Sequence, residues 1–290
     1  MATTLTRPKG RRTLVNGGAT VIITMAAVIA LIPLVAVIAY TVSKGLSSID
    51  WSFLTTTMRG VGPLDTTGGI YHAIWGTIEE VLIASLISVP LGILAAVYTV
   101  EYGKGFLASA VRFFIDVMTG IPSIVAGLFI FSFWVLALHQ GFSGFAAGMA
   151  LAVLMLPVVG RASEEMLKLV PDELREASYA LGVPKWRTVW SVVLPVATAG
   201  ITTGVMLAVA RVTGETAPLL LTSFGFDSLN YNPFHGPQSA LPLFVYQQAT
   251  SPFQVSVNRA WGAALVLIVF VVVLSVIARL LTRRNRLASA

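Results

Sequence analysis

Residues 171–195 read Pro171-Asp172-Glu173-Leu174-Arg175-Glu176-Ala177-Ser178-Tyr179-Ala180-Leu181-Gly182, then on through Val192-Val193-Leu194-Pro195, a polar interruption between two apolar runs. Pro171 and Asp172 open a helix, a proline suiting the first turn and an acid facing the positive end of the helix dipole, and Gly182 closes it. At 1.5 Å rise per residue this helix has about three turns. Leu174, Ala177, Ser178 and Leu181 share one stripe at i, i+3, i+4, i+7, while Asp172, Glu173 and Glu176 lie largely off it. A short helix between two spans, with a small apolar face and acidic flanks, suits docking into a groove of another protein. The alternative, a loop helix lying on lipid headgroups, would set these acids against an anionic leaflet.

Composition places the rest of the chain in lipid. It is 56% apolar and 11% charged with a mean hydropathy of +0.83, whereas soluble domains carry about 25% charged residues. Windows of about 20 apolar residues give six spans: Ala19 to Val42, Ala73 to Val97, Phe113 to Leu138, Gly144 to Val159, Val196 to Leu220 and Trp261 to Leu281. The first follows Arg7, Lys9, Arg11 and Arg12, but its apolar run exceeds a signal-peptide core and no small-x-small site follows, so it is expected to remain as a span. The domain reading is a basic tail at 1–18, a membrane domain at 19–285 with the polar loop at about 160–195, and a tail at 286–290.

Basic residues set the orientation. Arg7, Lys9, Arg11, Arg12, Lys104, Arg112, Arg161, Lys168, Arg175, Lys185, Arg187, Arg279, Arg283, Arg284 and Arg286 fall on one side; only Lys44, Arg59 and Arg259 fall on the other, and Arg211 is inside a span. Fifteen against three predicts cytoplasmic termini and a cytoplasmic Glu176 loop. The same bias accounts for the net charge of +6 without a nucleic-acid partner. The absence of cysteine excludes disulfides and thiolate metal sites. Of the five lysines only Lys104 follows a glycine, and Gly105 comes next, so no phosphate-binding P-loop exists for ATP hydrolysis by this chain. His72, His139 and His235 are far apart in sequence and are expected at the surface. Gly141-Phe142-Ser143-Gly144 resembles the serine motif of intramembrane proteases, but no span interior supplies a histidine base, so a tight turn is expected.

The fifth span carries Arg211-Val212-Thr213-Gly214-Glu215-Thr216-Ala217-Pro218. Ionisable groups within a span are expensive and mark functional candidates. Arg211 and Glu215, four apart, share a helical face. They either line an anion path, with Glu215 keeping the site from holding its anion too tightly, or form a buried pair that orders packing. Thr213 and Thr216 are candidate hydroxyl donors, Gly214 permits close approach, and Pro218 is expected to kink or end the helix near the external surface. Glu79 and Glu80 in the second span are assigned a structural role, because a carboxylate lining an anion path repels the anion.

The loop pattern resembles the Glu-Ala-Ala, Gly, Ile-x-Leu-Pro signature of ABC importer permeases. Glu176, Ala177, Gly182, Leu194 and Pro195 match at the family spacing, with Ser178 in place of the second alanine and Val192 in place of isoleucine. Arg211-x-x-Gly214-Glu215-Thr216 with Ala217-Pro218-Leu219-Leu220 looks like the PstA-type permeases of the phosphate-specific importer, as do Gly68-Gly69-Ile70, Pro90-Leu91-Gly92-Ile93, Glu101-Tyr102 and Gly120 to Leu128. The resemblance covers roughly residues 20–285. It implies an all-α integral membrane fold, a six-span type I ABC importer permease bundle with a cytoplasmic coupling helix, seated in the bacterial plasma (inner) membrane. It also implies a PstC-like permease partner, two ATPase subunits that hold ATP and Mg, and an external phosphate-binding protein docking near Gly45 to His72 or Thr222 to Arg259. This chain itself is expected to bind no cofactor. Rival readings are a permease for sulfate, molybdate or phosphonate, and an ion-coupled secondary transporter.

Overall fold

A computed structural model describes residues 10–288, which are helical apart from loops and one isolated bridge between Phe224 and Gln238. In chain order the helices are α1 (Arg11–Gly45), α2 (Trp51–Thr55), α3 (Tyr71–Val97), α4 (Phe106–Thr119), α5 (Ser123–Ile130), α6 (Gly144–Lys168), α7 (Asp172–Ala180), α8 (Lys185–Thr188), α9 (Leu194–Thr213), α10 (Ala217–Thr222), α11 (Leu241–Ala249) and α12 (Gln254–Ala288). Turns of π-helix extend α3 through Tyr98–Tyr102 and α5 through Phe131–Ala137, and join α8 to α9 through Val189–Val193. Both predicted domain limits, 18/19 and 285/286, fall inside helices, α1 and α12; residues 1–9 and 289–290 of the predicted tails lie outside the described residues.

Among the described residues, five helical stretches are long and apolar enough to cross a membrane, and a bent pair taken as one span makes six. That pair is the predicted third span: Phe106–Thr119 and Ser123–Ala137 meet at 108°. Pro122 caps the second piece, and its missing N–H and its bias toward extended backbone at Ile121 prevent one continuous helix. The fourth span does not stop before Arg161. α6 continues to Lys168 because Arg161, Glu164 and Lys168 lie three and four residues apart and pair along one side, with Arg112 and Asp116 of α4 joining them.

The centre of the bundle is the α3–α6 pair, which makes the most extensive contact in the fold. Small residues let the two helices close, as expected for packing inside a bilayer. A Cβ on Gly148 would lie 2.5 Å from the Ile83 side chain, and one on Gly92 would lie 2.9 Å from Val159. Val81, Ala84, Leu151, Met155 and Val159 of this pair pack with Ala208 and Val212 of α9 and Leu219 of α10. A second cluster joins Phe53, Ile70 and Ala73 to Leu241, Phe244 and Ala263, and a third joins Ala96, Leu167 and Val170 to Val193, Ala197 and Ile201 at the polar-loop end. α1 stands apart: none of its most apolar window is buried, and it touches the bundle through α12, where Tyr40 meets Trp261 edge-on at 5.1 Å.

Candidate functional site

The fifth span breaks where the sequence places its charges. α9 ends at Thr213, the Gly214 and Glu215 amides fold back onto the carbonyls of Arg211 and Val212, and α10 begins at Ala217. The break therefore lies upstream of Pro218, where no kink occurs. In a continuous helix the Pro218 ring would clash with the Gly214 carbonyl four residues back, so the chain breaks there and restarts with Pro218 in a first turn, where it is tolerated. α5 crosses the restarted helix at very short range, since a Cβ on Gly127 would lie 2.6 Å from Pro218 Cα.

The break leaves Arg211 uncommitted. Its side chain is 59% exposed, and its Nε stands 3.8 Å from Glu215 Oε1, beyond hydrogen-bond range. Glu215 is mostly covered and lies past the helix end, so the two meet across the break, not along one helical face. Thr216 is partly exposed, and its hydroxyl has no partner among the described residues. A Cβ on Gly214 would meet only the Arg211 carbonyl, at 3.8 Å, so the surface beside the guanidinium is open. Thr213 departs from expectation. It is buried, and its hydroxyl donates to the Val209 carbonyl at 2.7 Å, which removes it as a donor to anything outside. The arrangement offers an exposed guanidinium fork, able to take two oxygens of an anion, with an acid close enough to compete.

Glu79 and Glu80 are turned into the bundle at the same end. Glu80 is fully buried with Oε1 2.7 Å from the Ser223 hydroxyl, which stands equally close to the Gln238 carbonyl. Glu79 accepts a hydrogen bond from Trp75 Nε1 at 3.0 Å. Glu80 thereby holds the segment between α10 and α11 against α3, while the bond of Glu79 to Trp75 stays within α3. His72, expected at the surface, is buried edge-on against Phe244. Leu241, Leu243 and Phe244 of α11 are likewise buried, so this part of the segment from Thr222 to Arg259 packs into the bundle. Asp227, on the same connecting segment, is exposed, yet partial desolvation by the surrounding loop raises its carboxyl above the usual range. Ser143 caps α6 by accepting from the Ala146 amide and is itself buried, consistent with a turn.

At the opposite end, α7 is bounded by Pro171 at its N-cap and by Gly182 at φ +75°, a left-handed position that favours glycine. Glu176 and Ala177 are exposed, and Leu181 is 83% exposed. Ser178 is not on that face. It is buried, and its Oγ is 2.8 Å from Thr188 Oγ1, because the loop folds α7 back onto α8. Leu194 and Pro195 start α9, where a proline in the first turn is accommodated. Sequence reasoning missed the link beneath α7, where Arg175 is paired with Glu101 at 2.9 Å. The available signal was an acid at the end of an apolar span.

Residues 88–287 match the family described as binding-protein-dependent transport system inner membrane component. The chain belongs to this family. Among its curated relatives, the phosphate transport system permease protein PstA 1 of Mycobacterium tuberculosis (strain ATCC 25618 / H37Rv) is 47% identical over 282 residues, covering 96% of this chain and 92% of its own. The phosphate transport system permease protein PstA of Xylella fastidiosa (strain Temecula1 / ATCC 700964) is 40% identical over 278 residues, covering 96% of each chain. Two solved structures share the fold of this transport-system component. A bacterial ABC transporter involved in the import of the acidic polysaccharide alginate superposes with a TM-score of 0.66 at 12% identity, over 94% of this chain and 98% of its own. The MetNI methionine ABC transporter in an inward-facing conformation superposes at 0.60 and 18% identity, over 82% and 99%. The fold is that of a type I ABC importer permease.

Proposed function

We propose that the chain is the PstA-type permease of an ATP-driven importer of inorganic phosphate, forming half of the translocation path. The observation that carries the substrate is kinship along the whole chain with permeases named for phosphate transport, 47% identity over 96% of its length in one case. The geometry fits it: Arg211 is an exposed, loosely paired guanidinium at a helix break in the fifth span, and the same break carries the free Thr216 hydroxyl. Glu215 competes with the anion for Arg211 and keeps the site from becoming a trap. The basic residues on the Glu176 side put that loop and both termini in the cytoplasm of a bacterium, with the membrane domain in its plasma membrane. The exposed face of α7, with Glu176, Ala177 and Leu181, takes the ATPase; Gly182, Leu194 and Pro195 shape the loop that presents it.

The working unit would be this chain, a PstC-like permease, two ATPase subunits holding ATP and Mg, and an external phosphate-binding protein. ATP binding and hydrolysis shift populations between inward-open and outward-open states through α7. The test is uptake of radiolabelled phosphate by the reconstituted complex, with sulfate and molybdate as competitors. Saturable phosphate uptake that excess sulfate and molybdate leave intact is expected; uptake that follows another oxyanion would transfer the assignment to that anion.

A further inference from the structure

Arg175 uses its whole guanidinium. Its Nε donates to Glu101 Oε1 at 3.1 Å, Nη2 donates to the same oxygen at 2.9 Å and to the Leu167 carbonyl at 3.0 Å, and Nη1 donates to the Val170 carbonyl at 2.6 Å and to Asp172 Oδ1 at 3.0 Å. A guanidinium has five N–H groups, and these contacts occupy all of them. Each partner belongs to a different piece of the fold. Glu101 lies in the π-helical extension of α3, Leu167 is in the last turn of α6, Val170 is in the connection to α7, and Asp172 opens α7. The two carbonyls stand at or just past the end of α6, where intrahelical donors run out; Leu167 also takes the Val170 amide at 3.3 Å, and the guanidinium supplies its second hydrogen bond.

We propose that Arg175 is a positioning residue that makes α7 one rigid body with the ends of α3 and α6, so that displacement of α7 is delivered to both spans together. The proposal rests on the reading that α7 receives the motion of an ATPase. Without the clamp α7 has, among the described residues, one other side-chain hydrogen bond to its surroundings, Ser178 to Thr188, and that leads only to the next turn of the same loop. The clamp sits directly under the exposed face: Glu176 follows it in the chain, and Leu181 ends the same helix. α3 and α6 are the pair at the centre of the bundle, so motion reaching their ends reaches the element against which α9, with Arg211, is packed. Lysine is a poor substitute, because an ammonium presents three donors from one point and cannot hold one carboxylate oxygen and two carbonyls in the plane of a fork.

The experiment uses the complete reconstituted importer and reads phosphate transported per ATP hydrolysed, a ratio that lower amounts of a destabilised complex do not change. Arg175→Lys is expected to assemble and hydrolyse ATP while the ratio falls by ~10-fold or more, with Glu101→Gln, which keeps an acceptor, falling less. An unchanged ratio in Arg175→Lys would overturn the proposal. A second measurement stands if that variant fails to assemble: spin labels on Glu173→Cys and Lys104→Cys, both exposed positions in a chain without cysteine, placed in a complex of cysteine-free partners. Their separation is expected to hold constant between nucleotide-free and ATP-bound complexes, and a change on ATP binding would overturn the rigid-body claim. Leu181→Asp separates this from the docking reading. If the ATPase remains bound and active with that variant, the docking reading fails; if it is lost, the clamp is judged on the two measurements above.

Discussion

Arg175 and Arg211 look alike in sequence, each an arginine with an acid within four residues, yet the fold treats them in opposite ways. Arg175 is 12% exposed and satisfied at every N–H, whereas Arg211 is 59% exposed with its nearest acid beyond hydrogen-bond distance. A cation whose donors are all spent on fixed protein groups is part of the scaffold. One held loosely at a helix break retains donors for something that comes and goes. The difference lies in what the chain places around them: two helix-end carbonyls and a buried carboxylate for Arg175, an open surface beside Gly214 for Arg211.

The comparison is sharpened first by removing each arginine. Arg175→Ala leaves Glu101, which is 5% exposed, without its counter-charge, and breaking a buried pair costs about 3–5 kcal/mol. The expected outcome is a marked loss of assembled complex and a lowered thermal midpoint in detergent. Arg211→Gln is expected to leave that midpoint within about 0.5 kcal/mol of wild type, as for exposed substitutions. Its phosphate uptake should fall roughly 10- to 100-fold, the equivalent of the ~1.5–3 kcal/mol of a charged hydrogen bond. If the two variants instead lost stability equally, the contrast between scaffold and site would collapse. Gly127→Val tests the packing that holds the break open, since its Cβ would meet Pro218; overpacking of this kind costs about 1–3 kcal/mol, read as a lowered midpoint and reduced uptake. The smallest effect is expected from Ser178→Ala, which removes one hydroxyl pair turned away from the docking face. A loss below about 1 kcal/mol with normal ATPase binding is expected, and failure to bind the ATPase would return Ser178 to that face.

How much of this was legible depended on the range of the interaction. Apolar windows found the spans, because lipid demands length and composition regardless of neighbours, but the bend of the third span at Pro122 emerged only in the structure. Pro218 was read as kinking or ending the helix, and the helix does end, at Thr213, because the proline's clash acts four residues upstream and the chain relieves it there. Helical periodicity put Ser178 on the same stripe as Leu174 and Leu181, but periodicity does not say which part of a stripe the loop itself will cover; Thr188 of the returning chain decided that. The Arg175–Glu101 pair joins residues 74 apart in sequence, and nothing short of the assembled α3–α6–α7 corner brings them together.

The most direct test of the central claim, that Arg211 serves the substrate and not the scaffold, is the phosphate dependence of ATP hydrolysis by the reconstituted complex, comparing wild type with Arg211→Gln. The account predicts that the variant assembles and keeps its basal hydrolysis while phosphate with its binding protein no longer stimulates it. Stimulation equal to wild type would contradict the account and make the Arg211–Glu215 pair a packing feature.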